Sequence, residues 1–248
     1  MNITLIGENC DDIFVYGDAS RICPEAPVPV FIPKYTKNNI GMLGNVSNNL
    51  KSISPNVIIN VITQNNQIIK KRFIDEKTNQ MLLRIDTGDN DTKPLILNDN
   101  HINMIKNNDV TIVSDYNKGF LSDETLFNIA QNSKLSFIDT KRKIKKKIAE
   151  SFSFIKVNET EYNKNKKILR MFHDKVIVTL GKNGAKYINQ IFPSNNPKDT
   201  IDVSGAGDTF LASFVLYYWD NNDIYNAIKF ANEMSSIVVS KRGVVTPF

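Results

Sequence analysis

Asp202-Val203-Ser204-Gly205-Ala206-Gly207-Asp208-Thr209-Phe210 sets two glycines and an alanine just ahead of an acid and an apolar run. The run from Phe210 to Trp219 is a good helix former, so the small residues fall at a helix N-terminus. Unpaired N–H groups and the helix macrodipole attract anions there, and without bulky side chains a phosphate comes close to the backbone. Asp208 then stands beside the anion as a carboxylate able to take a proton from an attacking hydroxyl. The segment reads as a phosphoryl-transfer site, with Asp208 as base and Gly205, Ala206 and Gly207 as an amide cradle. A purely structural glycine-rich helix start is the other reading. A P-loop is excluded because no lysine follows the glycines, and a dinucleotide fingerprint because Phe210 stands where its third glycine belongs.

Outward from this element, Asn2 to Ile6, Val57 to Ile62, Val110 to Ser114, Leu135 to Ile138, Phe152 to Val157 and Lys175 to Leu180 are short, largely apolar runs. Helix-compatible stretches such as Asp123 to Gln131 and Glu159 to Phe172 separate most of them. This alternation predicts an α/β fold in one domain over residues 1–248: a mostly parallel sheet flanked by helices, with ligands at the carboxyl ends of its strands. Residues 13–35, with four prolines, and 68–86, with alternating apolar residues, break the pattern. Together they predict a small β-sheet lid that shields the site from water and whose apolar outer face invites a second subunit.

Further candidates cluster at strand ends. Asn158 and Glu161 are candidates to face a phosphate and to hold magnesium through water, although Asn-x-x-Glu is also a capping box. Thr179, Gly181 and Gly184 suit a nucleotide's ribose and phosphates, with a plain hairpin turn as the alternative. Ala231, Asn232, Val238 and Val239 suit an adenine slot or an ordinary helix core. Asp11, Asp12, Gly41, Gly44 and Asn45 are placed to bind a polyhydroxylated ligand, unless they are solvated turn residues. Asp115 ends a strand, and Lys118 beyond it is a candidate partner for an anionic group of the substrate.

Composition limits the alternatives. The chain has 248 residues, 41% of them apolar, and its longest apolar stretch is about half of the roughly 20 residues a bilayer crossing needs. Neither a membrane span nor a secretory leader is expected. Two cysteines and two histidines lack metal-ligand spacing and point to a reducing cytoplasm. The net charge is +5, with a basic run from Lys141 to Lys147. No aromatic residues interleave that run, so it reads as a solvated face or an aid in attracting polyphosphate, and no nucleic acid is expected.

Taken in order, these segments resemble the ribokinase or PfkB-type carbohydrate kinases over essentially the whole chain. The Asp-x-x-Gly-Ala-Gly-Asp element at Asp202 to Asp208 is the most specific part of the match. The resemblance implies a ribokinase-like fold, ATP and Mg2+ as cofactors, and a sugar acceptor. Tyr16 to Pro29, Gln80 to Asp86, Ser114 to Gly119 and Asp139 to Lys141 resemble the bacterial D-glycero-D-manno-heptose 7-phosphate kinases, the kinase half of a bifunctional enzyme of ADP-heptose synthesis. That likeness makes Arg84 a candidate substrate contact, implies that Asp12 binds sugar hydroxyls, and brings Lys118 toward the 7-phosphate. In the family pattern Met42 occupies the place of a second glycine, and Ile13 that of a basic residue. The stretch from Asn49 to Ile68 is shorter than in those kinases and lacks a helix. A kinase for a ribose- or fructose-type sugar, or a binding protein without turnover, is the alternative reading.

Overall fold

The computed structural model describes residues 1–194, 204–241 and 243–248. From its start the chain forms β1 (Asn2–Gly7), then two long strands, β2 (Asn9–Ile22) and β3 (Pro29–Met42), before helix α1 (Leu43–Ile53). Strand β4 (Ile58–Ile62) is followed by β5 (Ile69–Asp75) and β6 (Met81–Thr87). Helices and strands then alternate: α2 (Asp99–Asn107), β7 (Val110–Asp115), α3 (Asp123–Asn132), β8 (Ser136–Thr140), α4 (Lys146–Ser151), β9 (Phe154–Asn158), α5 (Glu159–Leu169) and β10 (Val176–Thr179). The short strands β11 (Ala185–Tyr187) and β12 (Gln190–Phe192) precede the terminal helices α6 (Ala206–Asn221) and α7 (Ile224–Val239).

The main sheet runs β12-β11-β10-β9-β8-β7-β1-β4 and is parallel from β10 to β4, with β11 and β12 antiparallel at one edge. Its strands are apolar on both faces because helices cover both. Ile3, Leu5, Val110, Ile112, Phe137 and Phe154 point toward α1, α6 and α7. Ile6, Val113, Ile138, Ile155 and Val157 point to α2, α3, α4 and α5. On the first face, Phe137, Phe154, Phe214 and Tyr218 form a ring cluster with centroids 4.8 to 6.1 Å apart and mostly edge-to-face.

The second sheet has the order β3-β2-β5-β6; β2 and β5 are parallel and the outer pairs antiparallel. It is larger than the segments 13–35 and 68–86 suggested, beginning at Asn9 and reaching Met42 and Thr87. The additional residues, Lys37, Asn38 and Asn39 among them, are polar and carry little strand signal, and pairing with β2 alone holds them extended. The six expected strands, which are the parallel strands of the main sheet, fall within two residues of their expected ends, and β11 and β12 at its edge were not expected. Gly44 and Asn45 lie inside the first turn of α1.

Met42 ends β3 and leads into α1. Its backbone has φ 51° and ψ −126°, a conformation that suits glycine, while its side chain is buried with Cys10, Ile68 and Tyr116. The side chain compensates for the backbone. Met42→Ala keeps the strain and loses the packing, at a cost of about 2–5 kcal/mol. Met42→Gly relieves the strain, so chemical denaturation is expected to find it more stable than Met42→Ala by about 1 kcal/mol, the reverse of the usual order of the two residues.

Candidate active site

Helix α6 starts without a side-chain cap, and Gly205 at its N-cap takes φ 81°, a left-handed turn that turns the chain into the helix with no Cβ in the way. Asp208 sits in the first turn and is only 6% exposed. Asn45 Nδ2 donates to its Oδ2 at 2.8 Å, and the Tyr116 hydroxyl donates to its Oδ1 at 3.1 Å. Burial pushes the Asp208 carboxyl up to about 6; the Asn45 bond, the Lys156 charge and the Tyr116 bond oppose that rise.

Each partner is itself held. Asn45 and Asn49 lie one turn apart on α1, both buried and facing α6. Thr209 Oγ1 donates to Asn49 Oδ1 at 2.8 Å, and Asn49 Nδ2 donates to Asn45 Oδ1 at 3.1 Å and to its carbonyl at 2.7 Å. This chain fixes which end of the Asn45 amide meets Asp208. Tyr116 follows β7, where its N–H donates at 2.9 Å to the buried Glu8, which also accepts from the Lys118 N–H. Burial raises the Glu8 pKa, and the Asp115 charge adds to the rise.

A cleft of about 600 Å³ opens from Asp208 along the strand ends. Gly205, Ala206, Gly207 and Asp208 line it together with Asn158, Glu161, Thr179, Gly181, Gly184 and Asn232. The structural alternatives hold at the same positions. Asn158 and Glu161 form a capping box, with both bonds at 2.8 Å. Residues Gly181 to Gly184 turn β10 into antiparallel β11, and Asn232 Nδ2 donates to the Phe192 carbonyl at 2.8 Å. Capping and turn geometry fix these groups in the cleft wall, so the two readings coincide. Asp202 and Val203, the start of the motif, lie outside the described residues.

Asp139 and Lys156 line the cleft as well; Lys156 is not singled out in the sequence analysis, and Asp139 enters there only within the Asp139 to Lys141 resemblance, with no site role. They are register partners on β8 and β9, with Lys156 Nζ 2.6 Å from Asp139 Oδ2. Lys156 Nζ would also lie 2.9 Å from a Cβ on Gly207, so the ammonium stands at the amide cradle. A period of two from Phe137 and Phe154 puts both residues on the α6 side of the sheet, which is the signal that could have found them.

The expected sugar-side residues divide. Asn45 reaches Asp208. Asp12, on β2, packs its carboxylate against Gly41 of β3 and pairs with Arg72 of β5 at 2.6 Å. Arg84 forms a fork with Asp86 at 2.6 and 2.7 Å, and Lys118 pairs with Asp89. Asp115 is different: its side chain is fully buried and bonded to Arg142 and Thr140, so it ties the loops after β7 and β8 and turns away from the cleft. Arg142 thus leaves the basic run that the sequence suggested as one solvated face, and Lys141 leaves it too by entering the cleft.

The sequence profile described as "pfkB family carbohydrate kinase" matches residues 54–248. The chain belongs to that family. It is 29% identical to the "Bifunctional protein HldE" of Helicobacter pylori (strain J99 / ATCC 700824) over 97% of its own length, and 28% identical to that of Campylobacter fetus subsp. fetus (strain 82-40) over 98%. It spans 63% and 64% of those relatives' lengths. Among solved structures it is similar to a ribokinase from Thermotoga maritima, with a TM-score of 0.75, 18% identity and coverage of 98% and 94% of the two chains. Phosphofructokinase-2 from Escherichia coli gives 0.75 at 12% identity, covering 99% and 94%. The Arabidopsis thaliana ribokinase complexed with ribose and ATP gives 0.68 at 16%, covering 97% and 93%. The fold is ribokinase-like, and the protein is a sugar kinase.

With the Asp208 pKa at about 6, kcat/KM is expected to fall about tenfold per unit as pH drops below 6. Tyr116→Phe removes a hydrogen bond to the ionised carboxylate and is expected to move this limb to higher pH. The folded value lies above the ordinary aspartate value, so ionisation in the buried site lowers stability as pH rises from about 4 through 6. Thermal denaturation of Asp208→Asn is therefore expected to gain on the wild type across that window, by up to about 3 kcal/mol.

Proposed function

We propose that the protein transfers the γ-phosphoryl group of ATP to the anomeric hydroxyl of D-glycero-D-manno-heptose 7-phosphate, giving the 1,7-bisphosphate. The carrying observation is a carboxylate, Asp208, held by Asn45 and Tyr116 at the mouth of an uncapped helix that opens on a cleft large enough for a nucleotide. Support for the heptose acceptor comes from the likeness of Tyr16 to Pro29 and Gln80 to Asp86 to heptose 7-phosphate kinases and from the identity of about 30% to HldE proteins.

In this reading the amides of Gly205, Ala206 and Gly207 and the Lys156 ammonium offset the charge that grows on the transferred group, and Asp208 takes the acceptor's proton. Thr179, Gly181, Gly184 and Asn232 seat the nucleoside. Asp12, Gly41, Asn45 and Arg84 are assigned to the sugar and Lys118 to its phosphate, while Asp115 acts only by tying its loops. The donor set fits Mg2+ through Glu161, which keeps one oxygen beyond its capping bond, while the Asn158 oxygen already accepts from the Glu161 N–H and its NH2 is left to face a phosphate. Among the described residues no three His, Cys, Asp or Glu side chains gather as a cage, as suits an ion held by phosphates, water and one or two carboxylates. When bound, the ion neutralises phosphate charge.

The lid leaves Ile22, Ile32, Met81, Leu83 and Ile85 exposed, and we assign this surface to pairing of two copies. Sedimentation is expected to find a dimer that Leu83→Glu dissociates; a wild-type monomer at micromolar concentration would refute it. No described helix is long and apolar enough to cross a membrane, and both cysteines are free, which supports action in the cytoplasm.

Release of ADP is expected with heptose 7-phosphate at least tenfold faster than with ribose or fructose 6-phosphate, and Asp208→Asn is expected to lose at least 10²-fold in kcat while still binding ATP. Faster turnover of ribose would replace the acceptor and keep the kinase. ADP-free binding of every sugar would remove the catalytic reading altogether.

A further inference from the structure

Two ammonium groups meet on one ring beside Asp208. Lys141 Nζ lies 3.7 Å and Lys70 Nζ 5.2 Å from the centroid of Tyr116, the residue whose hydroxyl donates to the Asp208 carboxylate. They come from different parts of the fold, Lys70 from β5 of the lid sheet and Lys141 from the loop after β8. Lys70 is 8% exposed, an unusual state for a lysine without a carboxylate. Among the described residues neither ammonium has a carboxylate oxygen within 4.0 Å. The neighbouring acids are engaged elsewhere, Asp12 with Arg72 and Asp139 with Lys156. Burial pushes the nearby Cys10 thiol up to about 11, and the Lys70 charge opposes that rise. The cleft walls desolvate Lys141 and lower its pKa, and the Lys70 charge adds to that effect.

Two like charges brought together in a partly desolvated site repel, and a dianion between them turns the repulsion into attraction. We infer that Lys70, Tyr116 and Lys141 form a second anion site that receives the phosphoryl group in transfer, beside Asp208 and in addition to the α6 amides. This rests on the reading of Asp208 as the base for ATP-dependent transfer. Each lysine donates to an oxygen of the transferred group. Because Lys70 belongs to the lid, the terminal phosphoryl bridges the lid and the main sheet, and a nucleotide without it leaves them unbridged. Lid position is thereby coupled to the presence of the group to be transferred, whatever the acceptor sugar.

The test needs no sugar. Calorimetric titration with a non-hydrolysable ATP analogue and with ADP, both with Mg2+, is run on the wild type, Lys70→Met, Lys141→Met and Lys141→Arg. The wild type is expected to prefer the analogue. Each methionine variant is expected to lose roughly tenfold in affinity for the analogue with ADP affinity unchanged, which also shows that the variant is folded, and Lys141→Arg to regain most of the loss. Hydrogen exchange in β5 and β6 is expected to slow with the analogue and not with ADP, a difference that Lys70→Met abolishes. Methionine variants that keep the wild-type affinities, or that lose ADP and analogue equally, overturn the second anion site and leave the kinase reading standing. A wild type that binds neither nucleotide overturns both.

Discussion

The structure turns on the burial of one carboxylate. Asp208 is placed in the first turn of α6, where the helix dipole favours its charge and desolvation opposes it. A buried carboxylate needs donors, and the fold supplies them from two distant segments, Asn45 on α1 and Tyr116 after β7. Their own supports reach further, through Asn49 to Thr209 on one side and through Glu8 at the end of β1 on the other. Packing of α1 against α6 is therefore set by polar geometry as well as by the apolar side chains around Phe210 and Phe214. Replacing Asn45 or Asn49 with an apolar residue of similar size would fill the same volume and lose the orientation of the acid.

Local features of the chain were legible in its sequence. The glycines before Asp208, the Asn158–Glu161 pair and the turn at Gly181 to Gly184 carry their meaning within a few residues, and all of them line one cleft. What the sequence concealed depends on pairing across the sheet. Asp139 and Lys156 are 17 residues apart in sequence and become neighbours only through the parallel register of β8 and β9. Asp115 looked like an acid at a ligand-binding edge because nothing local shows that Arg142, inside a basic run, reaches back to neutralise it. The alternation of apolar strands and helical stretches was enough to give the main sheet. The lid's length was not, since long strand pairing in the β2–β3 hairpin extends into polar residues such as Lys37, Asn38 and Asn39.

The short stretch between Asn49 and Ile68 has a structural consequence that the lid must accommodate. Helix α1 ends at Ile53, Ser54 to Val57 make the whole connection, and β4 forms the sheet's edge with Ile58 and Val61 exposed. The lid still has a fixed root. Gln64, just past β4, donates to the Asn9 carbonyl at 2.7 Å and accepts from the Asn9 N–H at 3.0 Å, while Asn9 Oδ1 accepts from the Gly44 N–H at 3.1 Å. One asparagine thereby joins the first residue of the lid, the loop after β4 and the start of α1. A shorter crossover does not by itself loosen the lid, because the hinge is fastened by side chains that sit close to it.

The electrostatics of the site impose a further condition. A base with a pKa of about 6 is well matched to proton transfer near neutrality, but that value belongs to the protein before any phosphate enters. The negative charge of a nucleotide's phosphates would raise it further and protonate the acid when it must be free. Positive charge within reach of the same oxygens has to compensate, and Lys156, which already lowers the Asp208 pKa, is placed to do so at the amide cradle. Its pairing with Asp139 makes the compensation partial, since that carboxylate itself raises the Asp208 pKa. The balance then depends on the remaining cations, Lys141 in the cleft and Lys70 on the lid. In the proposed transfer a phosphoryl group seated against these lysines has its charge offset beside Asp208, so seating the group and keeping the acid ionised depend on the same cations.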